Sequence, residues 1–242
     1  MKSLAAGIAA AGMAVWVSHT LRNRAAEAMG IYHGEDAVSA RITGADLVHP
    51  PGLPVIGKWM LDPDLSPAHW LGERYRAKRL REPINVLLLD RVAASEQQAR
   101  QRLSAAMAAA GYPSREGHSS GYRGYIGTKT YPQLPSKREH AFSNEPFEVN
   151  NNHGRVFGPR AGARGFLFIA AFSREHVDPL RKIKHGYASF NQARDHVASK
   201  LDEQGAYRLR GFVHLRNSIV NDTAVCTGDH DGMAALLIAE AS

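Results

Sequence analysis

Two runs of apolar residues restrict the fold more than any other feature of this sequence. They lie at residues 84–89 and 165–172, and Asn85 is the one polar side chain within them. A strand with one face in water alternates polar and apolar residues, whereas a run that is apolar on both faces is typical of a buried strand. The chain has 242 residues and is 44% hydrophobic, so it can build a core large enough to cover both runs. We therefore expect a sheet with these two strands inside it.

Two helices are predicted by their start and stop signals. Ser95 and Ser189 each precede a glutamine by three residues, which is the pattern of a capping box. Apolar residues follow at helical spacing, and Gly111 and Gly205 end the two helices. Further strands are expected at residues 121–130, 147–149, 206–215 and 233–239, with residues 155–157 as an optional additional strand that the order below does not count. The order β-α-β-β-β-α-β-β predicts an α+β domain over residues 83–242, a two-layer mixed sheet with two helices on one face.

The N-terminal segment has the layout of a signal anchor. Lys2 precedes residues 4–17, which carry no charge, and a helix over residues 3–21 approaches the length that a membrane span needs. An A-x-A string at residues 26–28 leaves a cleaved signal peptide open as the alternative. We expect an uncleaved transmembrane helix within residues 1–29 that contacts membrane lipid through residues 3–21. This predicts a single-pass protein of the inner membrane with its domain on the periplasmic side.

Residues 30–82 are rich in proline, which favours an extended strap over regular structure. Trp59 and Trp70 lie within this strap, and we expect them to hold it against the domain or against the membrane interface. The chain therefore divides by sequence into a membrane helix, a Pro-rich extended strap and an α+β domain.

Charge and cysteine content exclude several classes of function. The formal net charge is +7, but no nucleic-acid-binding motif accompanies it, so we expect no nucleic-acid partner. The most compact basic run, residues 74–81, reads as a solvated helix face. Cys226 is the single cysteine, which excludes an intramolecular disulfide and a zinc site built on several cysteines.

Residues 117–121 spell G-x-S-x-G, the string that surrounds the nucleophile of many serine esterases. That motif requires a strand before the serine and a helix after it. Here a helix is predicted before the string, and a strand or loop after it. We therefore interpret the string as a turn in which glycine permits unusual backbone angles.

Polar residues cluster at the ends of the predicted strands, and this cluster holds the candidate functional residues. It includes the segments 150–155, 173–178 and 227–232. Histidine and carboxylate side chains together can bind a metal or transfer protons near neutral pH. The candidates for catalysis are His153, His176, Asp178, His185 and His230.

Two kinds of ligand site are compatible with these segments. Asp229, His230 and Asp231 can supply oxygen and nitrogen ligands to a divalent metal, with His153 or His176 completing the shell. The alternative for residues 229–232 is a capped hairpin turn. A second hypothesis is an anion site, because the fork of arginine matches a phosphate or carboxylate; its residues are Asn152, Arg155, Arg174 and Arg194, with His153.

The order of features from Pro83 onward resembles the LssY C-terminal-like domain family of the bacterial envelope. Residues 83–89 are similar to its opening strand, and Ala110-Gly111-Tyr112 to the end of its first helix. Residues 152–157, Asn-His-Gly-Arg-Val-Phe, are similar to its NH-x-R strand. His185 with Ala193-Arg194-Asp195 is similar to the histidine and helix start of that family.

The resemblance covers about residues 83 to 205 and rests on short motifs. The usual tryptophan is missing after Gly111, and residues 227–232 have no counterpart. The family implies a membrane setting, but it implies no reaction and no catalytic residue.

Two functions from different classes follow from the sequence. The first is a membrane-anchored extracytoplasmic accessory or binding module with a protein partner in a membrane assembly. The alternative is a metal-assisted hydrolase that acts on a phosphate or acyl ester through the His/Asp cluster. The enzyme requires His153, His176, Asp229, His230 and Asp231 to meet in one concave site, whereas a module requires only an exposed patch.

Overall fold

A computed structural model describes residues 42–70, 74–117, 121–178 and 185–240. The residues from Ile42 onward form one compact unit. The predicted membrane helix and the first part of the predicted strap lie outside the described residues. Within the four described segments, no helix has the length and apolar character of a membrane span.

The described residues form two α-helices and fourteen strands. The helices are α1 (Glu96–Ala109) and α2 (Phe190–Gln204). The strands are β1 (Leu47–Val48), β2 (Ile56–Gly57), β3 (Arg79–Leu80), β4 (Val86–Asp90), β5 (Ser114–Glu116), β6 (Arg123–Ile126), β7 (Lys129–Leu134), β8 (His140–Ser143), β9 (Asn151–Gly162), β10 (Gly165–Val177), β11 (His185–Ser189), β12 (Arg208–His214), β13 (Val225–Cys226) and β14 (Met233–Ala239).

Twelve of the strands that the structure describes form one mixed sheet. Its main path runs β1-β2-β6-β7-β9-β10-β4-β14-β12, while β11 pairs with β10, β8 pairs with β9, and β5 pairs with β8. The pairing of β4 with β14 is parallel, and that of β4 with β10 is antiparallel. The apolar run in β4 thus lies between two other strands, as the sequence predicts. The α+β fold class is confirmed.

Both helices begin and end at the predicted signals. The Ser95 hydroxyl accepts a hydrogen bond from the Gln98 backbone N–H at 3.2 Å, and the Ser189 hydroxyl accepts one from Gln192 at 2.9 Å. These bonds satisfy N–H groups that have no partner within their own helix. Gly205 caps α2 with a φ of 76°, a backbone conformation that glycine adopts without steric cost.

One face of the sheet packs against α1 and α2. The apolar side chains of both helices interdigitate there with alternate residues of β4, β9, β10 and β14. Those from the helices are Ala99, Leu103, Ala106, Met107, Ala193, Val197, Ala198 and Leu201; those from the strands include Val86, Leu88, Val156, Phe168, Ala170, Phe172, Ala235 and Leu237. The two helices therefore share one face of the sheet.

The opposite face of the sheet also carries a buried core, which the prediction of a two-layer domain did not anticipate. Leu87, Phe157 and Ile169 point to this face, and the predicted strap covers them with Ile56 and Met60. The described part of the strap consists of short strands and isolated β-bridges, and it packs as a layer of the domain. This second core positions the polar cluster described below.

The strand predictions differ from the structure in the middle of the chain. Residues 147–149 form no strand, whereas β8 at 140–143 was not predicted. β10 continues to Val177, five residues past the end of its apolar run. The polar residues at its end are paired on both sides, by β9 and by β11. An apolar pattern cannot reveal such a strand end, because there the sheet buries polar groups.

Candidate acid–base site

The polar ends of β9 and β10 lie side by side and bring two polar pairs together on one face. In the antiparallel register Asn151 stands opposite Glu175, and His153 stands opposite Ser173. Side chains two residues apart on a strand share a face, so these four groups are on the same face of the sheet. That face is the one away from the helices. All four residues are buried.

Asn151 fixes the orientation and the tautomer of the His153 ring. The Asn151 amide nitrogen donates to the carbonyl of Val149 at 3.0 Å, so its amide oxygen faces His153 Nδ1 at 2.8 Å. Because an amide oxygen only accepts hydrogen bonds, Nδ1 carries the proton of the neutral ring. His153 Nε2 is then the basic nitrogen, 3.4 Å from the Ser173 hydroxyl. It also lies 3.7 Å from Glu175 Oε1.

Glu175 lies between two imidazole rings. Its second carboxylate oxygen, Oε2, accepts a hydrogen bond from His185 Nδ1 at 2.9 Å. Burial raises the pKa of Glu175, and the adjacent His185 opposes that rise. A carboxyl group with a raised pKa keeps its proton to a higher pH than an exposed carboxyl group does, and it can then act as a general acid. We call Asn151, His153, Glu175 and His185 the relay.

A second buried carboxyl group, that of Glu82, interacts electrostatically with Glu175 and Arg155. Burial raises the pKa of Glu82 to about 7, Arg155 counteracts the rise, and the charge of Glu175 adds to it. The guanidinium of Arg155 also lies 5.3 Å from the ring of Tyr122. Two carboxyl groups that share one arginine do not both ionise readily, because their charges repel in a buried environment.

Aromatic rings border the relay. The centroid of the His153 ring lies 5.0 Å from that of Phe147 and 6.2 Å from that of Trp70. The side chain of His185 is 16% exposed, whereas that of Glu175 is 9% exposed and that of His153 is 4% exposed. The relay therefore extends from an enclosed imidazole to one that reaches solvent.

The structure does not bring the three side chains of the predicted metal site at residues 229–231 together, because each has a different structural partner. The Asp229 carboxylate accepts hydrogen bonds from the hydroxyls of Tyr187 and Ser189, and from the Phe190 backbone N–H at 2.8 Å. Phe190 is the first residue of α2. Asp229 therefore caps this helix, where a negative charge is favourable. The turn alternative is the better description of this segment.

His230 and Asp231 point away from Asp229. His230 Nε2 bonds the Asn217 side-chain oxygen at 2.8 Å, and burial lowers the His230 pKa to about 4. Asp231 accepts a hydrogen bond from Arg194 at 2.6 Å. Over the described ranges, no group of three or more His, Cys, Asp or Glu side chains is arranged to hold a metal.

The predicted anion site is not assembled either. Arg194 donates to Asp195 at 2.7 Å and to Asp231, so its charge is already matched. Arg174 precedes Glu175 on β10 and therefore lies on the opposite face of the sheet, the one that packs against the helices. There the pKa of His196 is lowered first by burial, then by the charge of Lys200, and then by the charge of Arg174. Arg155 faces the carboxyl groups on the other side. The three arginines therefore serve three separate regions.

The remaining candidates take separate positions. Asn152 is not a member of the relay. Its backbone N–H donates a hydrogen bond to Asn144 Oδ1 at 2.7 Å. His176 is exposed and its ring lies over Gly186, where an added Cβ would be 2.2 Å from the imidazole. Asp178 lies just after β10 and outside the relay as we define it. Ser119 of the G-x-S-x-G string lies outside the described residues.

Of the predicted catalytic residues, the structure brings His153 and His185 together. The partners that complete the relay, Asn151 and Glu175, lie in the predicted polar segments but received no role from the sequence. A turn at residues 163–164 would by itself place His153 opposite Arg174. The β9–β10 pairing shifts its register by one residue between Leu167 and Ile169, and only this shift puts Asn151, His153, Ser173 and Glu175 on one face. Alternation counted from the turn therefore does not find this face.

Comparisons with known proteins identify no relative of this chain: no family model, no curated protein and no solved structure matches it. The resemblance to the LssY C-terminal-like domain therefore stays a prediction. The functional argument depends on the geometry of the relay.

Proposed function

We propose that this domain hydrolyses an ester by general acid–base catalysis at the relay. The observation that carries the proposal is the tautomer of His153. Its Nδ1 proton is held by Asn151, so Nε2 faces the interior of the site as a base, beside Glu175. A base and an acid whose environments separate their pKa values are the usual equipment for acid–base catalysis.

Each side chain then has a defined step. His153 Nε2 takes a proton from the attacking water as its oxygen forms a bond to the ester centre. Glu175 gives its proton to the leaving oxygen as the bond to that oxygen breaks. To close the cycle, His153 releases the proton that it took as the product leaves, and Glu175 regains a proton from solvent through His185. His185 is suited to this because it is hydrogen-bonded to Oε2 and is more exposed than Glu175 and His153. Ser173 holds the direction of Nε2 through its hydroxyl.

The membrane setting is a further part of this proposal. The sequence predicts an anchor helix within residues 1–29 and a periplasmic domain, so the expected substrate is an ester of the cell envelope. The accessory or binding module expected from the sequence stays a prediction. It requires no proton transfer, so an assay of hydrolysis separates the two functions.

The test is hydrolysis by the purified full-length chain. The probes are p-nitrophenyl acetate and p-nitrophenyl phosphate, which represent acyl and phosphate esters. We expect turnover of one probe, and a loss of at least 100-fold in kcat for His153→Gln, since general acid–base groups contribute about 10²–10⁴-fold. His214→Gln is the matched control, because His214 is an exposed histidine on β12.

Two results would overturn the proposal. One is the absence of hydrolysis of both probes by a folded wild-type chain. The other is equal activity in His153→Gln and His214→Gln. Circular dichroism and thermal unfolding of each variant show whether a lost activity reflects a lost fold.

A further inference from the structure

A cavity of about 350 Å³ lies at the opposite end of the β9–β10 hairpin from the relay. Nine residues separate His153 from Gly162 along β9, which corresponds to roughly 30 Å of strand. The cavity is formed by the loop at residues 52–54, the hairpin turn at residues 162–165 and the side chains of Leu89, Arg160 and Leu167. Its volume lies at the lower end of the range for small-molecule sites. The relay does not use it.

The lining of this cavity combines apolar side chains with two arginines. Leu53, Pro54, Leu89 and Leu167 provide apolar surface. Arg160 and Arg164 provide positive charge, and no acidic residue is among the lining groups. A cavity with one sign of charge and apolar walls attracts an ion of the opposite sign.

Arg164 is already engaged in the wall of the cavity. Its guanidinium donates to the carbonyl of Gly52 at 3.1 Å and so joins the hairpin turn to the 52–54 loop. Gly52 has a φ of 72°, and an added Cβ would lie 2.5 Å from the Arg164 guanidinium. Glycine at this position therefore permits the close approach of the arginine.

Arg160 has a guanidinium that is available for a ligand. Across the described segments it makes neither a hydrogen bond nor an ion pair. Gly127 leaves the space that this side chain occupies, since a Cβ there would be 2.5 Å from Arg160 Nε. An arginine beside an apolar wall is suited to a carboxylate or phosphate head group, which it can bind through two parallel N–H donors.

We propose that this cavity binds a small organic anion with a short apolar chain. Arg160 binds the anionic head group, and Leu53, Leu89 and Leu167 contact the chain. The site is separate from the proposed hydrolytic function, because neither its residues nor its location is shared with the relay. Loss of one activity therefore leaves the other testable.

Isothermal titration of the full-length chain tests this site with three probes. Hexanoate carries both the charge and the chain, acetate carries the charge alone, and hexanol carries the chain alone. We expect hexanoate to bind at one site per chain, at least tenfold more tightly than either acetate or hexanol. Added salt should weaken hexanoate binding, because the guanidinium is near solvent.

Variants identify the binding group. Arg160→Gln should weaken hexanoate binding about tenfold, since a charge-assisted hydrogen bond is lost. Arg208→Gln is the matched control, because it removes one exposed arginine charge elsewhere on the surface. Absence of hexanoate binding would overturn the proposal. Equal binding of hexanol, or equal weakening by the two variants, would also overturn it.

Discussion

Glu175 Oε2 accepts a hydrogen bond from His185 Nδ1 at 2.9 Å, across the pairing of β10 with β11. A register shift in this pairing lies between Arg174 and Glu175. Such irregularities redirect side chains at the edge of a sheet and are frequent beside active sites. Here the shift coincides with the residue that joins His153 to His185. The relay is thus built by the end of β10, where the strand leaves its apolar run.

Replacement of Glu175 tests its role as the proton donor. Glu175→Gln keeps the size of the side chain and can still accept a hydrogen bond from His185, but it cannot transfer a proton. We expect kcat to fall by at least 100-fold while the free energy of unfolding changes little near neutral pH. A steady-state assay with chemical denaturation at the same pH measures both. Full activity in this variant would contradict the assignment of Glu175 as the acid.

Glu82 makes the stability of the domain dependent on pH. Its pKa is raised from 4.5 to about 7 in the folded protein, first by burial, so the folded state holds this proton more tightly than the unfolded state. Stability linked to Glu82 is therefore complete below pH 4.5 and is lost as the pH rises through about 7. The loss amounts to at most about 3 kcal/mol.

The variant Glu82→Gln isolates this contribution. It has no carboxyl group to ionise, so its stability relative to the wild type should increase between pH 4.5 and pH 8. Titrating groups whose charges do not act on Glu82, such as His230, contribute to both proteins and cancel in the comparison. Chemical denaturation at several pH values gives the difference. A difference that is constant with pH, or that has the opposite slope, would refute the prediction.

Asp229 should contribute to stability through the start of α2. Asp229→Ala removes the acceptor of the Phe190 N–H and of two hydroxyl groups, so we expect a loss of about 1–3 kcal/mol. Asp195→Ala, at an exposed position within α2, is the control and should cost less. Thermal unfolding with and without added zinc measures both. A stabilising effect of zinc that Asp229→Ala abolishes would contradict the capping role.

Asn217 joins three parts of the domain through one buried amide. Its nitrogen donates to the carbonyls of Lys58 and Ile84 at 3.0 and 2.8 Å, and its oxygen bonds His230. Asn217→Ala leaves these groups unsatisfied, so we expect a loss of about 2–4 kcal/mol. Asn221→Ala is the control, because Asn221 is exposed. Equal stability of the two variants would show that the amide contributes little.

The elements that the sequence predicts well are those with local signals. Ser95 and Ser189 each start a helix, because the side chain of the serine accepts a capping hydrogen bond from the first turn. Gly205 ends its helix in a left-handed backbone conformation that glycine permits. The apolar run in β4 identifies a strand without knowledge of its neighbours. Each of these features depends on residues close together in the chain.

The relay was harder to predict because its members meet by strand register. Glu175 and His153 are 22 residues apart and become neighbours through the β9–β10 pairing. Glu82 comes to the same face from the strap, which the sequence treats as separate from the domain. The motif at residues 229–231 was misleading for the same reason: adjacent side chains on a turn point to Ser189, Asn217 and Arg194.

A double-mutant cycle on His153 and Glu175 tests the central claim most directly. The measured quantity is kcat/KM of the wild type, His153→Gln, Glu175→Gln and the double variant, on the probe ester that the wild type hydrolyses. Groups that act as one catalytic unit give losses that are not additive in free energy. The kcat/KM of the double variant should therefore be no more than about tenfold below that of the less active single variant. Losses that multiply fully, or no loss in either single variant, would contradict the account.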